Sequence, residues 1–197
     1  MKSNQSLIAG IDEVGKGCLF GPVFAGAVIL NKSQELKLLN EGLKDSKKLN
    51  PKQRNNLIPL IKNNSIAWSL GQASAREIDK VGIRIATEKA MIRALEKFPF
   101  TLELILVDGV LPIRAWKGQQ KTQIKGESHF PSIAAASVLA KETRDELIIR
   151  LAKKYSMYGL DKNKGYGTEI HRKSLLREGP TSLHRNSFLY KIFKEND

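Results

Sequence analysis

A charge-free apolar stretch over residues 19–30 constrains the fold more than any other segment of the chain. Its second part, residues 23–30, is continuously apolar instead of alternating, a pattern typical of a strand that is buried on both faces. A bilayer-spanning helix needs about 20 apolar residues, so this stretch is too short to cross a membrane. It therefore predicts a central strand of a covered sheet.

Further strands and helices are predicted along the chain. Alternating or apolar runs predict strands over residues 6–11, 65–71 and 102–107 and near 123–124, and capping residues and apolar periodicity predict helices over 50–61, 74–97, 131–155 and 168–178. Strands that come first and then mix with helices indicate an α/β fold with a mixed central β-sheet flanked by helices. A length of 197 residues suits a single domain over residues 1–197.

The charge of the chain is strongly positive. Lys and Arg number 33 against 20 Asp and Glu, a formal net charge of +13, and the excess is spread along the sequence instead of lying in a tail. A folded domain with this balance indicates a polyanionic partner, with a charge kept for solubility as the alternative.

The single cysteine excludes an internal disulfide and a Cys-rich zinc site. The N-terminus has no signal-peptide pattern, so we expect a cytoplasmic protein.

Acidic residues follow three of the predicted strands. Asp12 and Glu13 come after the first strand, Asp108 after the strand at 102–107, and Glu127 after the short strand. Ligand sites of open α/β sheets gather at strand ends, so these acids could converge at one place. Converging carboxylates repel one another unless a hard cation such as Mg²⁺ or Mn²⁺ binds between them. Each acid taken singly is also typical of a turn or a helix cap, so both interpretations stay open.

Seven short motifs resemble those of the ribonuclease HII family and stand in the order that this family has. They are residues 10–23 (GIDEVGKGCLFGPV), 45–49 (DSKKL), 107–109 (VDG), 125–128 (KGES), 132–145 (SIAAASVLAKETRD), 164–171 (KGYGTEIH) and 184–188 (HRNSF). Together they reach across nearly the whole chain. The resemblance implies an RNase H-like fold with a C-terminal helical, substrate-contacting part over about residues 156–197.

The resemblance also implies an activity and a metal site. The activity is hydrolysis of the RNA strand of RNA–DNA hybrids and incision at ribonucleotides embedded in duplex DNA, with Mg²⁺ or Mn²⁺ as cofactor, two ions per site, and 5′-phosphate and 3′-hydroxyl ends as products. Asp12, Glu13 and Asp108 match three of the family's four catalytic, metal-binding carboxylates. Glu127 stands where the family usually has Asp, and reaches one methylene further. Asp145 is the competing fourth candidate, although we expect it to pair with a neighbouring base on a helix.

Substrate contacts are likewise implied by the resemblance, at Gly15, Lys16, Gly17, Ser46, Lys47 and Tyr166. The family's Gly-Arg-Gly turn reads the ribonucleotide 2′-hydroxyl through main-chain groups, and here Lys16 replaces the Arg, whose planar fork is lost. Tyr166 matches a tyrosine that stacks near the scissile junction. Ser46 and Lys47 match a phosphate-contacting loop.

The nucleic-acid backbone is expected to be neutralised by basic residues at 44–54 and 114–125. The expected partners are RNA–DNA hybrids and ribonucleotide-containing duplex DNA, with no membrane, and we expect a monomer. The tail at 189–193 favours a packed segment over a clamp-binding peptide, and His129 and His171 are expected at the surface. Two rival hypotheses remain: a hybrid-binding protein without catalysis, and a two-metal nuclease of the same fold that ignores the 2′-hydroxyl.

Overall fold

A computed structural model describes residues 7–194 of the chain. In that part, five strands form one mixed sheet in the order β3–β2–β1–β4–β5. The strands are β1 Ile8–Val14, β2 Val23–Ile29, β3 Ala67–Ala73, β4 Leu104–Asp108 and β5 Gln120–Gln123. β1, β2 and β3 are antiparallel neighbours, while β4 runs parallel to β1 and to β5. The predicted mixed sheet is confirmed; residue 6 of the first predicted strand lies outside the described residues.

The two longest helices cover opposite faces of the sheet. α3 (Ala75–Leu95) packs against β2 and β3, and α4 (Pro131–Ala152) packs against β1 and β2. Every residue of β2 is buried, as its continuous apolar run predicts, because both of its faces are covered. One apolar core lies between the sheet and α3, and a second lies between the sheet, α4 and the helices α1 (Lys32–Asn40) and α2 (Pro51–Asn64).

The last part of the chain is helical, as the resemblance implied. It contains α5 (Leu160–Asn163), α6 (Glu169–Glu178) and α7 (Asn186–Lys194), and its third apolar cluster joins these helices to the end of α4. In the tail, Leu189 is 2% exposed and Ile192 and Phe193 pack against the same cluster, whereas Tyr190 is 68% exposed. Across residues 7–194, the helices are all too short or too polar to cross a membrane.

The first strand differs from its prediction. β1 continues through Asp12 and Glu13 to Val14, whereas the predicted strand ends before these acids. Its parallel partner β4 ends at Asp108, but the antiparallel ladder with β2 pairs Val14 with Phe24 and so extends β1 past its acids. The acids of β1 are therefore held in regular strand geometry instead of in a turn.

Candidate active site

Asp12 and Asp108 lie on neighbouring parallel strands at the same end of the sheet. The register pairs Ile11 with Val107, and the next residue of each strand is the acid. Asp12 is 5% exposed and faces α4, where the Ser137 hydroxyl donates a hydrogen bond to it. The strand register thus places these two acids side by side.

Glu127 reaches the same site from a 3₁₀ turn, Gly126–Ser128, directly after β5. This turn is tied to β4 because the Gly126 N–H donates to Asp108 Oδ1 at 2.6 Å. The Glu127 carboxylate is buried and accepts hydrogen bonds from the Ser46 N–H at 3.4 Å and the Ser46 hydroxyl at 3.3 Å. Lys47 Nζ lies 2.9 Å from Glu127 Oε1.

Glu13 points to the other face of β1, as alternation along a strand requires. It lines a cavity of about 280 Å³ between the strand ends and α3, together with Asp108 and Lys16. Lys16 Nζ lies 2.6 Å from Glu13 Oε1. The side chain of Lys16 is therefore directed back at an acid in this conformation.

Burial and mutual repulsion make these carboxylates costly to charge. Burial raises the pKa of Asp12 well above its usual range, and the charge of Glu13 raises it further. Burial also raises the pKa of Glu13, against the opposing effect of Lys16. At Asp108, burial raises the pKa, the Gly126 N–H opposes this, and the charge of Glu127 adds to it. Such a cluster favours any cation that can approach it.

The donor set fits a hard divalent cation, because it consists of carboxylate oxygens. In this conformation Glu13 and Glu127 are turned toward Lys16 and Lys47. Over residues 7–194, no three His, Cys, Asp or Glu side chains are grouped so that they could hold a metal ion as they stand. A bound ion would therefore compete with Lys16 and Lys47 for these two glutamates.

Asp145, the competing fourth acid, is occupied elsewhere. It lies on α4 and pairs with Lys141 one helical turn earlier, at 3.0 Å. The predicted pairing with a neighbouring base is confirmed. Among the two candidates, Glu127 is the one whose charge acts on both Asp12 and Asp108.

The turn at 15–17 has one buried and one exposed glycine. Gly15 has a φ of 89°, and a Cβ there would lie 2.2 Å from Nε of Arg144. Gly17 is exposed, and a Cβ there would meet nothing within 4 Å. Gly15 is thus required by the fold, while the fold itself leaves room for a side chain at Gly17.

Tyr166 lies next to this turn. Its segment forms an isolated antiparallel bridge with Cys18, and the Leu19 N–H donates to the Gly165 carbonyl at 2.8 Å. The Tyr166 ring is on the surface, with Lys141 Nζ 5.8 Å from the ring centroid. The structure therefore brings the 15–17 turn and Tyr166 together, although they are far apart in sequence.

Two expectations about basic residues need correction. Arg54 is buried and forms an ion pair with Glu142, so it is not available to a nucleic acid. His171 is fully buried, whereas His129 is exposed as predicted. Arg54 and His171 lie in polar sequence, and the elements packed around them decide their burial. Arg114 is exposed and pairs with Glu88 at 3.0 Å, and its contact with a nucleic acid stays a prediction.

Two arginines are 0% exposed: Arg144, whose burial sequence reasoning missed, and Arg185, which stands in a motif that the resemblance implied to pack near the site. Both lie inside motifs that resemble the family, at 132–145 and 184–188. Residue type alone favours the surface for arginine. The only sequence signal for them is their place in those motifs.

A mixed sheet with an acidic cluster across its central strands, covered by helices on both faces, defines an RNase H-like enzyme. The chain belongs to the ribonuclease HII family, whose model, described as Ribonuclease HII, matches residues 9–191. It is therefore a ribonuclease H, a divalent-metal-dependent endonuclease.

Similar proteins agree with this assignment. The chain is 73% identical over 192 residues to the ribonuclease HII of Prochlorococcus marinus (strain NATL1A), covering 98% of each chain. Its fold is similar to the crystal structure of ribonuclease H2 from Pyrococcus horikoshii OT3, with a TM-score of 0.80, 24% identity and coverage of 96% and 98%. It is also similar to the ribonuclease HII of Archaeoglobus fulgidus, solved in complex with PCNA, with a TM-score of 0.70, 27% identity and coverage of 91% and 94%.

Proposed function

We propose that the chain cuts the RNA strand of RNA–DNA hybrids and also incises duplex DNA at single embedded ribonucleotides, leaving 5′-phosphate and 3′-hydroxyl ends. One observation carries the proposal: two strand-borne acids and the acid of the 126–128 turn meet beside the 15–17 turn and Tyr166. A hydrolytic site and a surface turn suited to reading a sugar are thus adjacent.

Asp12, Glu13, Asp108 and Glu127 are the proposed catalytic residues and would hold Mg²⁺ or Mn²⁺, two ions per site. When bound, the ions would supply the charge that activates a water and stabilises the leaving 3′-oxygen. The chain's own part is orientation. Ser137 holds Asp12, and the Gly126 N–H holds Asp108. Lys16 and Lys47 neutralise Glu13 and Glu127 until the ions bind.

Substrate binding is proposed at Gly15, Lys16, Gly17, Ser46, Lys47 and Tyr166. Main-chain groups of the 15–17 turn would contact the sugar of the ribonucleotide, and Tyr166 would stack beside it. Lys16 and Lys47 are half to mostly exposed, at 53% and 81%, so their ammonium groups can turn from the glutamates to phosphates. Ser46 is buried beside Glu127, so its proposed contact with a phosphate requires its hydroxyl to turn from that carboxylate.

We also propose that residues 1–197 act as one catalytic domain, as a monomer, in the cytoplasm. The match of the family model from residue 9 to residue 191 supports a single domain. We do not assign to this chain the PCNA partner of the Archaeoglobus fulgidus enzyme, because Leu189 in the tail is packed in the C-terminal cluster.

The test is cleavage of three end-labelled duplexes with Mg²⁺, Mn²⁺ or EDTA: DNA with one ribonucleotide, an all-DNA duplex of the same sequence, and a long RNA–DNA hybrid. We expect metal-dependent incision at the ribonucleotide and in the hybrid, and none in DNA. The Asp108→Asn variant, in which the fold is kept and one carboxylate is lost, should bind the duplexes and not cut them.

The other outcomes separate the rival hypotheses. Cutting of the hybrid alone would show that junction recognition has been lost with the Lys16 replacement. Cutting of the all-DNA duplex would favour a nuclease that ignores the 2′-hydroxyl. Tight binding without cutting in either metal would overturn the proposed activity.

A further inference from the structure

The loop that carries the 15–17 turn is held from beneath by two buried arginines. Arg144 donates to the carbonyl oxygens of Phe20, Pro22 and Lys164 at 2.8–3.0 Å. Arg185 donates through Nε to the Gly21 carbonyl at 3.0 Å and through one terminal nitrogen to the Lys16 carbonyl at 2.8 Å. Each guanidinium thus binds main-chain oxygens of the loop.

Arg185 has no ion-pair partner among residues 7–194, and its second terminal nitrogen, buried, has no hydrogen-bond partner there. Burial lowers the pKa of Arg185 to about 10, so the group is still charged at neutral pH. A buried charge without a carboxylate is costly for the fold. The fold bears this cost, and the guanidinium acts on the geometry of the 15–17 turn.

The effect of Arg185 on the Lys16–Gly17 peptide follows from peptide geometry. In a planar trans peptide the carbonyl and the N–H point in opposite directions, and no described peptide is cis. Because Arg185 holds the Lys16 carbonyl toward the interior, the Gly17 N–H points away from it. Gly17 is exposed, and its N–H donates to no other described residue.

We propose that Arg185 is a positioning residue for ribonucleotide recognition: it fixes the Lys16–Gly17 peptide so that the Gly17 N–H is presented to a 2′-hydroxyl oxygen of the substrate strand. The inference rests on the proposed incision at ribonucleotides and deepens it. The donor is a main-chain group and is oriented before the substrate arrives, so its alignment costs nothing at the moment of binding.

Arg185 is itself held by its neighbours. It lies 5.3 Å from the ring of Phe188, and the next two residues donate their N–H groups to the carboxylate of Asp79 on α3. The start of α7 is therefore anchored to α3, and the guanidinium is anchored with it. Arg144, by contrast, does not contact the Lys16 carbonyl.

The test compares Arg185→Lys with Leu175→Val. Lysine keeps the positive charge, but its single nitrogen cannot replace the two guanidinium nitrogens that donate to the Gly21 and Lys16 carbonyls. Leu175 on α6 is fully buried in the C-terminal cluster and its side chain has no hydrogen-bond donor or acceptor, so its variant serves as the control for a loss of packing. The measurement is the ratio of Kd values, in EDTA, for an all-DNA duplex and the same duplex with one ribonucleotide, by fluorescence anisotropy.

We expect Arg185→Lys to reduce this ratio about tenfold, the size of one hydrogen bond, and Leu175→Val to keep the wild-type ratio. Unchanged discrimination in Arg185→Lys, with a wild-type chain that discriminates and cuts, would overturn the inference and leave the proposed function intact. A wild-type chain that neither discriminates nor cuts would overturn the proposed function and this inference with it.

A second measurement does not depend on the folding of a variant. In the wild-type chain labelled with ¹⁵N-glycine, with Gly17→Ala used to assign the signal, the Gly17 amide proton should shift on addition of the ribonucleotide duplex and shift much less with the all-DNA duplex. Equal shifts with both duplexes would contradict the proposed contact.

Discussion

At the scale of single residues, Gly15 and Gly17 occupy the same turn in different surroundings. Gly15 is buried against Arg144 at a positive φ, and Gly17 faces open space with an ordinary φ. The absence of a side chain at Gly15 serves the fold. At Gly17 the fold leaves room for a side chain, so the proposed close approach of the substrate is the role that we assign to this glycine.

We expect Gly15→Ala to destabilise the protein by about 1–3 kcal/mol, because of the strained φ and the contact with Arg144. Gly17→Ala should leave the melting temperature close to that of the wild type and weaken binding of the ribonucleotide duplex. Thermal unfolding and anisotropy titration of both variants check this. A normal affinity in Gly17→Ala would contradict substrate contact at that position.

Glu127 and Asp145 offer a matched pair of acids. Glu127 is part of the acidic cluster, and Asp145 pairs with Lys141 on α4. We expect Glu127→Gln to lower kcat by about 100-fold or more, since even weaker changes around metal ligands cost 10–100-fold. Asp145→Asn should stay within about threefold of the wild type. The measurement is kcat at several Mn²⁺ concentrations. A larger loss of kcat in Asp145→Asn than in Glu127→Gln would assign the fourth ligand to Asp145.

At the scale of elements, a buried histidine pair joins α6 to the segment before α7. The Thr181 N–H donates to His184 Nδ1 at 2.9 Å, so the proton of neutral His184 is on Nε2. That proton is directed at His171 Nε2 at 3.1 Å, and His171 Nδ1 then donates to the Tyr166 carbonyl at 2.9 Å. The neutral pair thus anchors the main chain of Tyr166.

Acid should weaken this anchor. Burial lowers the pKa of His184 to about 4 and, in the same direction, that of His171. A histidine whose pKa is depressed in the folded state takes up its proton first in the unfolded chain, so stability falls as the pH drops from about 6.5 toward 4. We expect His184 to cost the fold about 3 kcal/mol by pH 4.

The measurement is the free energy of unfolding against pH for the wild type, His184→Gln and His129→Gln. The raised carboxylates Asp12, Glu13 and Asp108 act in the opposite direction over part of this range, so the difference between wild type and variant isolates the histidine. His129 is exposed, and its variant should follow the wild type. If the free energy of unfolding of the wild type and of His184→Gln changed in parallel with pH, the loss of stability in acid would not come from His184.

At the scale of the whole molecule, the net charge of +13 sets how strongly the protein binds a duplex. In the 44–54 stretch Arg54 is buried, and the exposed lysines are those at positions 44, 47, 48 and 52. If six phosphates are contacted, the affinity should fall by about 10³-fold between 50 mM and 200 mM salt. The slope of log K against the logarithm of the salt concentration measures the number of phosphates that the protein contacts.

A lysine that contacts phosphate should lower that slope by about 1 when it is replaced. We expect this for Lys48→Ala. Lys62→Ala is the control, because Lys62 lies over the ring of Trp68 on the edge strand β3, at 4.8 Å. Equal slopes for Lys48→Ala and the wild type would place the nucleic acid away from the 45–49 loop.

The sequence by itself determined the architecture and identified the acids that the fold brings together. Local patterns report burial, so the continuous run in β2, the capping boxes of α2 and α3 and the acids beside the strands were readable. The resemblance to a family added the substrate and the roles that remain proposals. The predicted ends of the strands were less exact. The first strand was predicted to end before Asp12, but its pairing with β2 carries it on to Val14.

Only the tertiary structure decided which polar side chains are buried and what they hold. Arg54, Arg144, His171 and Arg185 are of residue types that favour water, and each is enclosed by elements distant in sequence. The Lys16 carbonyl meets a guanidinium 169 positions along the chain. No local pattern encodes such a contact, because both the cost of desolvating the two groups and the hydrogen bond that offsets it arise only when the whole fold closes around them.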